Sequence, residues 1–153
     1  MKRFLEKFSK TILMALGITL LMIPAKANAD DVPVTFKELP QKAQAFINQY
    51  FSAGDILLAK MDKDLMGKTY TVKFKNGDEV EFFKSGEWKE VECINSKVPE
   101  AIINPKILAK VKELYPTDFI KEIKKNKLNT EVKLSNGLEL KFDKVINLVE
   151  VDD

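Results

Sequence analysis

Few residues in this chain have the types and spacing that catalysis or metal binding requires. Its 153 residues include no histidine and one cysteine, Cys93. This excludes a Ser-His-Asp triad, a Cys-His nucleophile pair, a zinc site of Cys and His ligands, a CxxC redox pair and an intrachain disulfide. The six glycines stand apart from one another, so the chain has no Gly-rich phosphate loop. The acidic residues are the next candidates for chemistry.

The sequence Asp62-Lys63-Asp64 is the strongest acidic candidate for a metal site. A calcium loop needs about six to eight oxygen ligands within a glycine-containing frame of about twelve residues. Here two carboxylates precede the apolar pair Leu65-Met66, so we expect a solvated loop and no metal. The number of Asp and Glu residues would allow a glycosidase-type carboxylate pair, but no local pattern favours one. We therefore expect no catalytic residues and no cofactor.

Three side chains are better judged by burial than by reactivity. Cys93 follows a β-rich segment, and we expect it to be buried rather than paired with another chain. Phe83 falls on the side of its strand that should be wet. It would either contact a partner or lie under residues 30–36, and the covered position is favoured. Trp88 is expected in the core, with its indole N–H near the rim.

The first 29 residues have the features of a secretory signal. Four basic residues precede an apolar run of 13 residues at positions 11–23, and small-x-small sites end at Ala27 and Ala29. A membrane anchor is less favoured, because about 20 apolar residues are needed to span a bilayer. We expect cleavage after Ala29 and a periplasmic or secreted protein that does not insert into the membrane.

Removal of the signal changes the charge of the protein. The full chain has a formal charge of +2, and residues 1–29 carry five of its 25 basic and one of its 23 acidic residues, which leaves −2 on the mature chain. A nearly neutral surface gives no general attraction to nucleic acid, so none is expected as a partner. The basic run at residues 121–127 is expected to be a solvated strand or turn.

The mature chain repeats itself at an offset of 60 residues. Residues 70–92 align with residues 130–152, which places Asn76-Gly77 on Asn136-Gly137 and Phe82 on Phe142. Self-similarity of this kind predicts a duplicated supersecondary unit. We expect one domain over residues 30–153, made of two repeats at about 36–93 and 97–152.

Each unit is predicted to open with a helix that is followed by four strands. The first helix has an apolar stripe between Leu39 and Phe51, and the second begins at Asn104 and Pro105 and ends before Pro116. The expected strands are 56–61, 70–74, 79–82 and 88–93, then 119–123, 131–134, 138–142 and 146–151. Apolar and charged residues alternate along the central strands, as in an antiparallel meander with one buried face.

The two Asn-Gly pairs mark hairpin turns whose length can be inferred from parity. A two-residue loop at Asn136-Gly137 would set Leu134 opposite Glu139 and mix the faces. A three-residue loop pairs Leu134 with Leu138, and the same choice in the first unit gives the pairs Val72–Val80 and Tyr70–Phe82. Parity therefore predicts three-residue loops with glycine in the left-handed conformation. The predicted class is α+β, a tandem α-β4 repeat with two helices on one face of an antiparallel sheet of about eight strands.

The doubled pattern resembles the PepSY-like family, small exported bacterial proteins labelled β-lactamase-inhibitor-like. The resemblance rests on Leu39-Pro40 with its helix, on residues 70–82 (YTVKFKNGDEVEF) and on residues 134–143 (LSNGLELKFD). It covers roughly residues 36–152 and implies a tandem α/β4 fold like that of the β-lactamase inhibitor protein. It implies no catalytic or ligand-binding residues. The chain departs from the pattern at residues 65–67 and lacks a second glycine at the position equivalent to Gly86.

These observations predict a non-enzymatic exported module of the inhibitor type that contacts a protein or peptide through its exposed sheet face or hairpin tips. The candidate contact residues are Lys73, Glu81, Phe83, Lys133, Lys141 and Asp143. An alternative is a periplasmic sensor of a small molecule or envelope polymer, which would need a cavity lined by Tyr50, Tyr70 or Tyr115. A carboxylate-based hydrolase is less favoured and would need two facing carboxylates in a cleft.

Overall fold

The computed structural model describes residues 31–64 and 67–153, so the predicted signal lies outside the described residues. The first half contains β1 (Val32–Pro33), α1 (Gln41–Tyr50), β2 (Ile56–Asp64), β3 (Gly67–Phe74), β4 (Glu79–Phe83) and β5 (Trp88–Glu92). The second half contains α2 (Pro105–Leu114), β6 (Ile120–Lys125), β7 (Asn129–Leu134), β8 (Glu139–Asp143) and β9 (Leu148–Asp152). Short 3-10 turns lie at Phe36–Glu38, Ala53–Asp55 and Glu100–Ile102.

The described strands form one antiparallel sheet of nine strands in chain order. The α+β class is confirmed. The additional strand, β1, comes from residues 30–36, which the sequence did not predict as a strand; Val32 pairs with Met61 at the edge of the sheet. The two halves are continuous, because β5 pairs with β6 through Val91 and Ile123.

Both Asn-Gly hairpins have the three-residue loops that parity predicted. In the first, Tyr70 lies opposite Phe82 and Val72 opposite Val80. In the second, Val132 lies opposite Leu140, and the Leu134 amide donates to the Leu138 carbonyl at 2.8 Å. Gly77 and Gly137 have φ values of 94° and 98°, so each glycine occupies the left-handed region as expected.

The strand registers of the two halves correspond at the offset seen in the sequence. The pair Tyr70–Phe82 corresponds to Thr130–Phe142. The register with the next strand shifts just before each phenylalanine, at Phe82 in the first half and at Phe142 in the second. This equivalence is a property of the sheet ladder. The origin of the halves by duplication stays a prediction.

One core joins the helices to the sheet. Its buried members include Ala43 and Ile47 of α1, Ile107 and Val111 of α2, and alternate residues of the strands. We call the sheet face that carries these residues the core face and the opposite side the outer face. The alternation that places Val72, Val80, Val132 and Leu140 inside leaves mostly charged residues on the outer face.

The acidic stretch at residues 62–64 is the clearest correction to the predicted elements. The sequence predicted a solvated loop after residue 61, but β2 continues to Asp64. Asp62 lies opposite Thr69, and the Asp64 backbone lies opposite Gly67, because the ladder with β3 extends to the turn. The stretch is therefore strand.

Candidate functional site

The outer face holds all six of the predicted contact residues. Lys73 lies opposite Glu79, and Phe83 lies opposite Thr69. The second group follows the same geometry: Lys133 lies opposite Glu139, Lys141 opposite Glu131 and Asp143 opposite Asn129. The two groups are separated by β5 and β6, so they form two flanks of one surface rather than a single cluster.

Most of these side chains are engaged by neighbours on the same face. Four of them form ion pairs, namely Lys73–Glu79 at 2.8 Å, Lys89–Glu81 at 2.8 Å, Lys133–Glu139 at 2.7 Å and Lys141–Glu150 at 2.6 Å. Hydrogen bonding to Glu139 raises the pKa of Lys133, and hydrogen bonding to Glu150 raises the pKa of Lys141. Pairs this exposed contribute little to folding, so their main effect is to neutralise both flanks.

Asp143 has a local structural role. Its carboxylate accepts hydrogen bonds from the backbone amides of Val145 and Asn147 at 3.0 and 2.8 Å. These bonds, that from Asn147 above all, lower the pKa of Asp143. The carboxylate thus holds the β8–β9 turn and is less free to contact a partner than the sequence suggested.

The centre of the outer face carries an acidic pair that sequence reasoning missed. Glu92 of β5 lies directly opposite Glu122 of β6, and Glu79 lies opposite Glu92 on the other side. Within the described residues, neither Glu92 nor Glu122 forms an ion pair, and both are half-buried. Burial, together with Glu90 and Glu92, raises the pKa of Glu122. The pairing of β5 with β6 creates this cluster, and no local sequence pattern specifies that register.

Phe83 is half-buried on the outer face, but residues 31–36 do not cover it. Val34 and Phe36 pack against the core instead. Because Val32 pairs with β2, this segment lies at the sheet edge, three strand spacings or about 14 Å from β4. The covered position favoured from the sequence is therefore wrong.

Cys93 is buried, as predicted, at the base of a cleft of about 350 Å³. Burial is the largest of the influences that raise the pKa of its thiol to about 11. Tyr50 and Phe51 form one wall of this cleft, which we call the Tyr50 cleft. Asp78 lies beside Cys93, and its carboxylate accepts from the Ile94 amide at 3.0 Å. Tyr70 and Tyr115 pack against the core.

Trp88 occupies the core face, as expected from its parity with Phe82. The Lys125 ammonium lies 3.5 Å from the centre of its ring. This position corrects one part of the prediction for residues 121–127, because Lys125 is half-buried on the core side opposite Thr130 rather than solvated.

Two further observations concern metal ions and membranes. In residues 31–64 and 67–153, no group of three or more Cys, Asp or Glu side chains is placed to hold a metal ion. None of the helices in this part of the chain is long and apolar enough to cross a membrane.

Comparison with known proteins identifies the family. Residues 68–150 match the family described as "Putative beta-lactamase-inhibitor-like, PepSY-like". The chain belongs to the PepSY-like family. No curated protein matches the chain. The family description names an inhibitor-like protein and no enzyme.

Three solved structures have the PepSY-like fold at substantial sequence identity. One, titled "putative periplasmic protein" of the DUF2874 family from Bacteroides vulgatus, is 42% identical, with 82% of this chain and 99% of that chain covered and a TM-score of 0.79. Another, titled "putative calcium-regulated periplasmic protein" from Bacteroides thetaiotaomicron, is 46% identical over 81% and 98%, with a TM-score of 0.78. A third, from Bacteroides vulgatus and titled as of unknown function, is 34% identical over 80% and 99%, with a TM-score of 0.76.

Proposed function

We propose that this PepSY-like protein is a non-enzymatic, exported binding module of the inhibitor type, and that its outer face contacts a protein or peptide with a basic surface. The observation that carries the proposal is the facing pair Glu92 and Glu122 at the centre of that face. The neutralised flanks described above surround this pair.

The energetics of the acidic pair favour a partner. Like charges directly opposite each other destabilise a sheet. Burial is the largest cause of the raised pKa of Glu122, and repulsion from Glu90 and Glu92 adds to it. Lysine or arginine side chains of a partner would relieve the repulsion and desolvate the carboxylates together with their counter-charge. Phe83 adds an aromatic side chain of the type that often carries interface energy.

The test uses protein exported from the full chain as bait in envelope extract. A captured protein is identified by mass spectrometry, purified and titrated back. We expect Glu92→Gln with Glu122→Gln to weaken binding about tenfold or more while the unfolding midpoint stays equal or rises. The matched control is Glu113→Gln on the exposed end of α2, which should bind normally. Normal binding by the double variant would contradict a role for the acidic pair.

A second variant tests the flank that carries Phe83. Phe83→Ala removes the aromatic side chain and leaves the charge of the outer face unchanged, so we expect weaker capture in a protein that still folds. A folded Phe83→Ala variant that binds the purified partner normally would remove this flank from the interface and leave the acidic pair and the hairpin tips as the remaining contacts.

Export is part of the proposal. The solved relatives are described as periplasmic proteins, which supports export, as does the signal-like composition of residues 1–29. We expect the exported protein to begin at Asp30 or Asn28. Intact-mass measurement checks this, and retention of residues 1–29 in the periplasmic protein would contradict it.

The Tyr50 cleft supports a second candidate function, the binding of a small molecule or envelope polymer. Its volume of about 350 Å³ falls within the range of ligand sites, and Tyr50 is one of the residues that the sequence named for such a cavity. Native mass spectrometry of periplasmic protein should then show a bound molecule that Tyr50→Ala loses. If each protein shows only the mass of its own polypeptide without added ligand, this candidate is contradicted.

A further inference from the structure

A second cleft lies on the core side, at the junction of the two halves. Its volume is about 340 Å³, and its lining is mixed: Trp88 and several isoleucines, Ile146 among them, lie beside the polar side chains of Asn104, Lys125 and Thr130. We call it the Trp88 cleft. Small-molecule sites combine apolar side chains with a small number of placed polar groups.

Lys125 supplies the charge in this cleft. Its ammonium lies over the face of Trp88, and no carboxylate of a described residue forms an ion pair with it. Glu87 influences its titration but is ion-paired with Lys42 at 3.3 Å. Burial lowers the pKa of Lys125, whereas ion pairing raises the pKa of its neighbour Lys124 on the outer face. Lys125 is thus a cation that lies over an aromatic ring in a partly apolar cleft.

Ile146 lines the same cleft in a strained backbone conformation. Its φ of 66° is in the left-handed region, which a β-branched residue rarely adopts. The equivalent position in the first half is Gly86, where an added Cβ would lie 2.8 Å from the Pro40 Cβ. In the first half, α1 packs directly on this turn, so no equivalent space exists there. In the second half, the Ile146 side chain lines a cleft. Strained backbone conformations cluster at binding and catalytic sites, so the strain at Ile146 is consistent with a binding role for this cleft.

We propose that the Trp88 cleft binds a small amphipathic carboxylate. The Lys125 ammonium pairs with the carboxylate, and the apolar tail lies against Trp88 and Ile146. At about 30 Å³ for each water-sized group, the cleft has room for about ten non-hydrogen atoms. A straight-chain carboxylate of about that size, octanoate, is a suitable probe. This site is separate from the outer face, so its test is independent of partner binding.

The experiment follows the fluorescence of Trp88, the single tryptophan, in protein exported from the full chain. We expect octanoate to change the emission saturably and octanol to bind about tenfold more weakly, because octanol lacks the charge-assisted contact. Lys125→Met keeps the apolar stem and should lower octanoate affinity about tenfold or more without changing octanol affinity. Lys127→Met, on the exposed turn that follows, is the matched control.

A third variant keeps the test decisive if Lys125→Met does not fold. Ile146→Gly removes both the backbone strain and the isoleucine side chain from the cleft. We expect the variant to fold and to bind octanoate more weakly than the unmodified protein does. Equal binding of octanoate and octanol by the unmodified protein would overturn the proposal. Undiminished octanoate affinity in a folded Lys125→Met or Ile146→Gly protein would overturn it as well.

Discussion

At the scale of single residues, two turns depend on glycine for different reasons. Gly137 has a φ of 98° and open space around it, so only its backbone conformation requires glycine. Gly86 has a φ of 83° and also lies against α1, where a Cβ would come within 2.8 Å of Pro40. Ile146 shows that a side chain can be tolerated in such a turn when space exists for it.

Substitution of the two glycines by alanine should separate strain from steric clash. We expect Gly137→Ala to lower the free energy of unfolding by about 1 kcal/mol, through left-handed strain alone. Gly86→Ala should cost about 2–4 kcal/mol, because overpacking against α1 adds to the strain. Denaturant unfolding of both variants checks this. If Gly137→Ala lowers the free energy of unfolding as much as Gly86→Ala or more, the packing of α1 on the turn at Gly86 is contradicted.

The Cys93 thiol predicts a pH dependence of stability. An unfolded thiol titrates near pH 8.5, whereas burial raises the pKa of Cys93 to about 11. In the folded state the Cys93 thiol therefore stays protonated to a higher pH than in the unfolded state. The stabilisation is complete below about pH 8.5 and is lost as the pH rises through the folded pKa, at up to about 1.4 kcal/mol per pH unit.

Denaturant unfolding between pH 8 and pH 10.5, under reducing conditions, measures this loss. Since several lysines also titrate there, Cys93→Ala is the control: it should lose less stability over the same interval than the parent protein. Identical pH profiles for the two proteins would show that the thiol is accessible to water rather than desolvated.

At the scale of elements, the two helices begin in different ways. The Asn104 side chain accepts a hydrogen bond from the Lys106 amide at 2.9 Å and caps α2 at the position where the sequence predicted the helix to begin. Pro40 precedes α1 and provides no side-chain cap. The start of α2 is therefore stabilised by a side-chain hydrogen bond that a single substitution can remove. The start of α1 is stabilised by its packing against Gly86.

Loss of the cap should be measurable. We expect Asn104→Ala to lower the free energy of unfolding by about 1 kcal/mol, the typical value for an N-cap. Gln41→Ala, in the exposed first turn of α1, should have little effect. Thermal and denaturant unfolding check both, and equal stability of Asn104→Ala and the parent protein would show that the N-terminal amides of α2 find another acceptor.

Elements with local signals were the ones that the sequence could predict. The helices carry periodic apolar faces, and the hairpin registers follow from the parity of Leu134 and Val72 around Asn-Gly loops. The edge strand β1 has two residues and gains its hydrogen bonds only from β2, so no pattern within it marks a strand.

The candidate site shows the same division. Parity placed the six predicted contact residues on one face, because it depends only on each strand. The acidic pair depends on how Glu92 and Glu122 meet across the junction of the halves, and the position of Lys125 over Trp88 depends on the same junction. These contacts join residues that are distant in sequence, so composition and periodicity do not specify them.

At the scale of the molecule, the continuous sheet and the single core make the two halves interdependent. The pairing of Val91 with Ile123 joins the fifth and sixth strands, and both residues are fully buried in the common core. The buried residues of both halves belong to one core cluster, so neither half would keep a complete core if this junction opened. A duplicated sequence pattern therefore does not imply two folding units.

This architecture predicts that the halves unfold together. Ile123→Ala should cost about 2–5 kcal/mol, as for other large-to-small core substitutions, and should lower the stability of both halves equally. Hydrogen exchange at the amides of β3 and β4 reports the first half, and exchange at the amides of β7 and β8 reports the second. The two sets of amides should give coincident transitions in the parent protein and in the variant, because a two-state protein unfolds as one unit. Loss of amide protection in β7 and β8 at a denaturant concentration where β3 and β4 stay protected would instead show two units that fold separately and dock through β5 and β6.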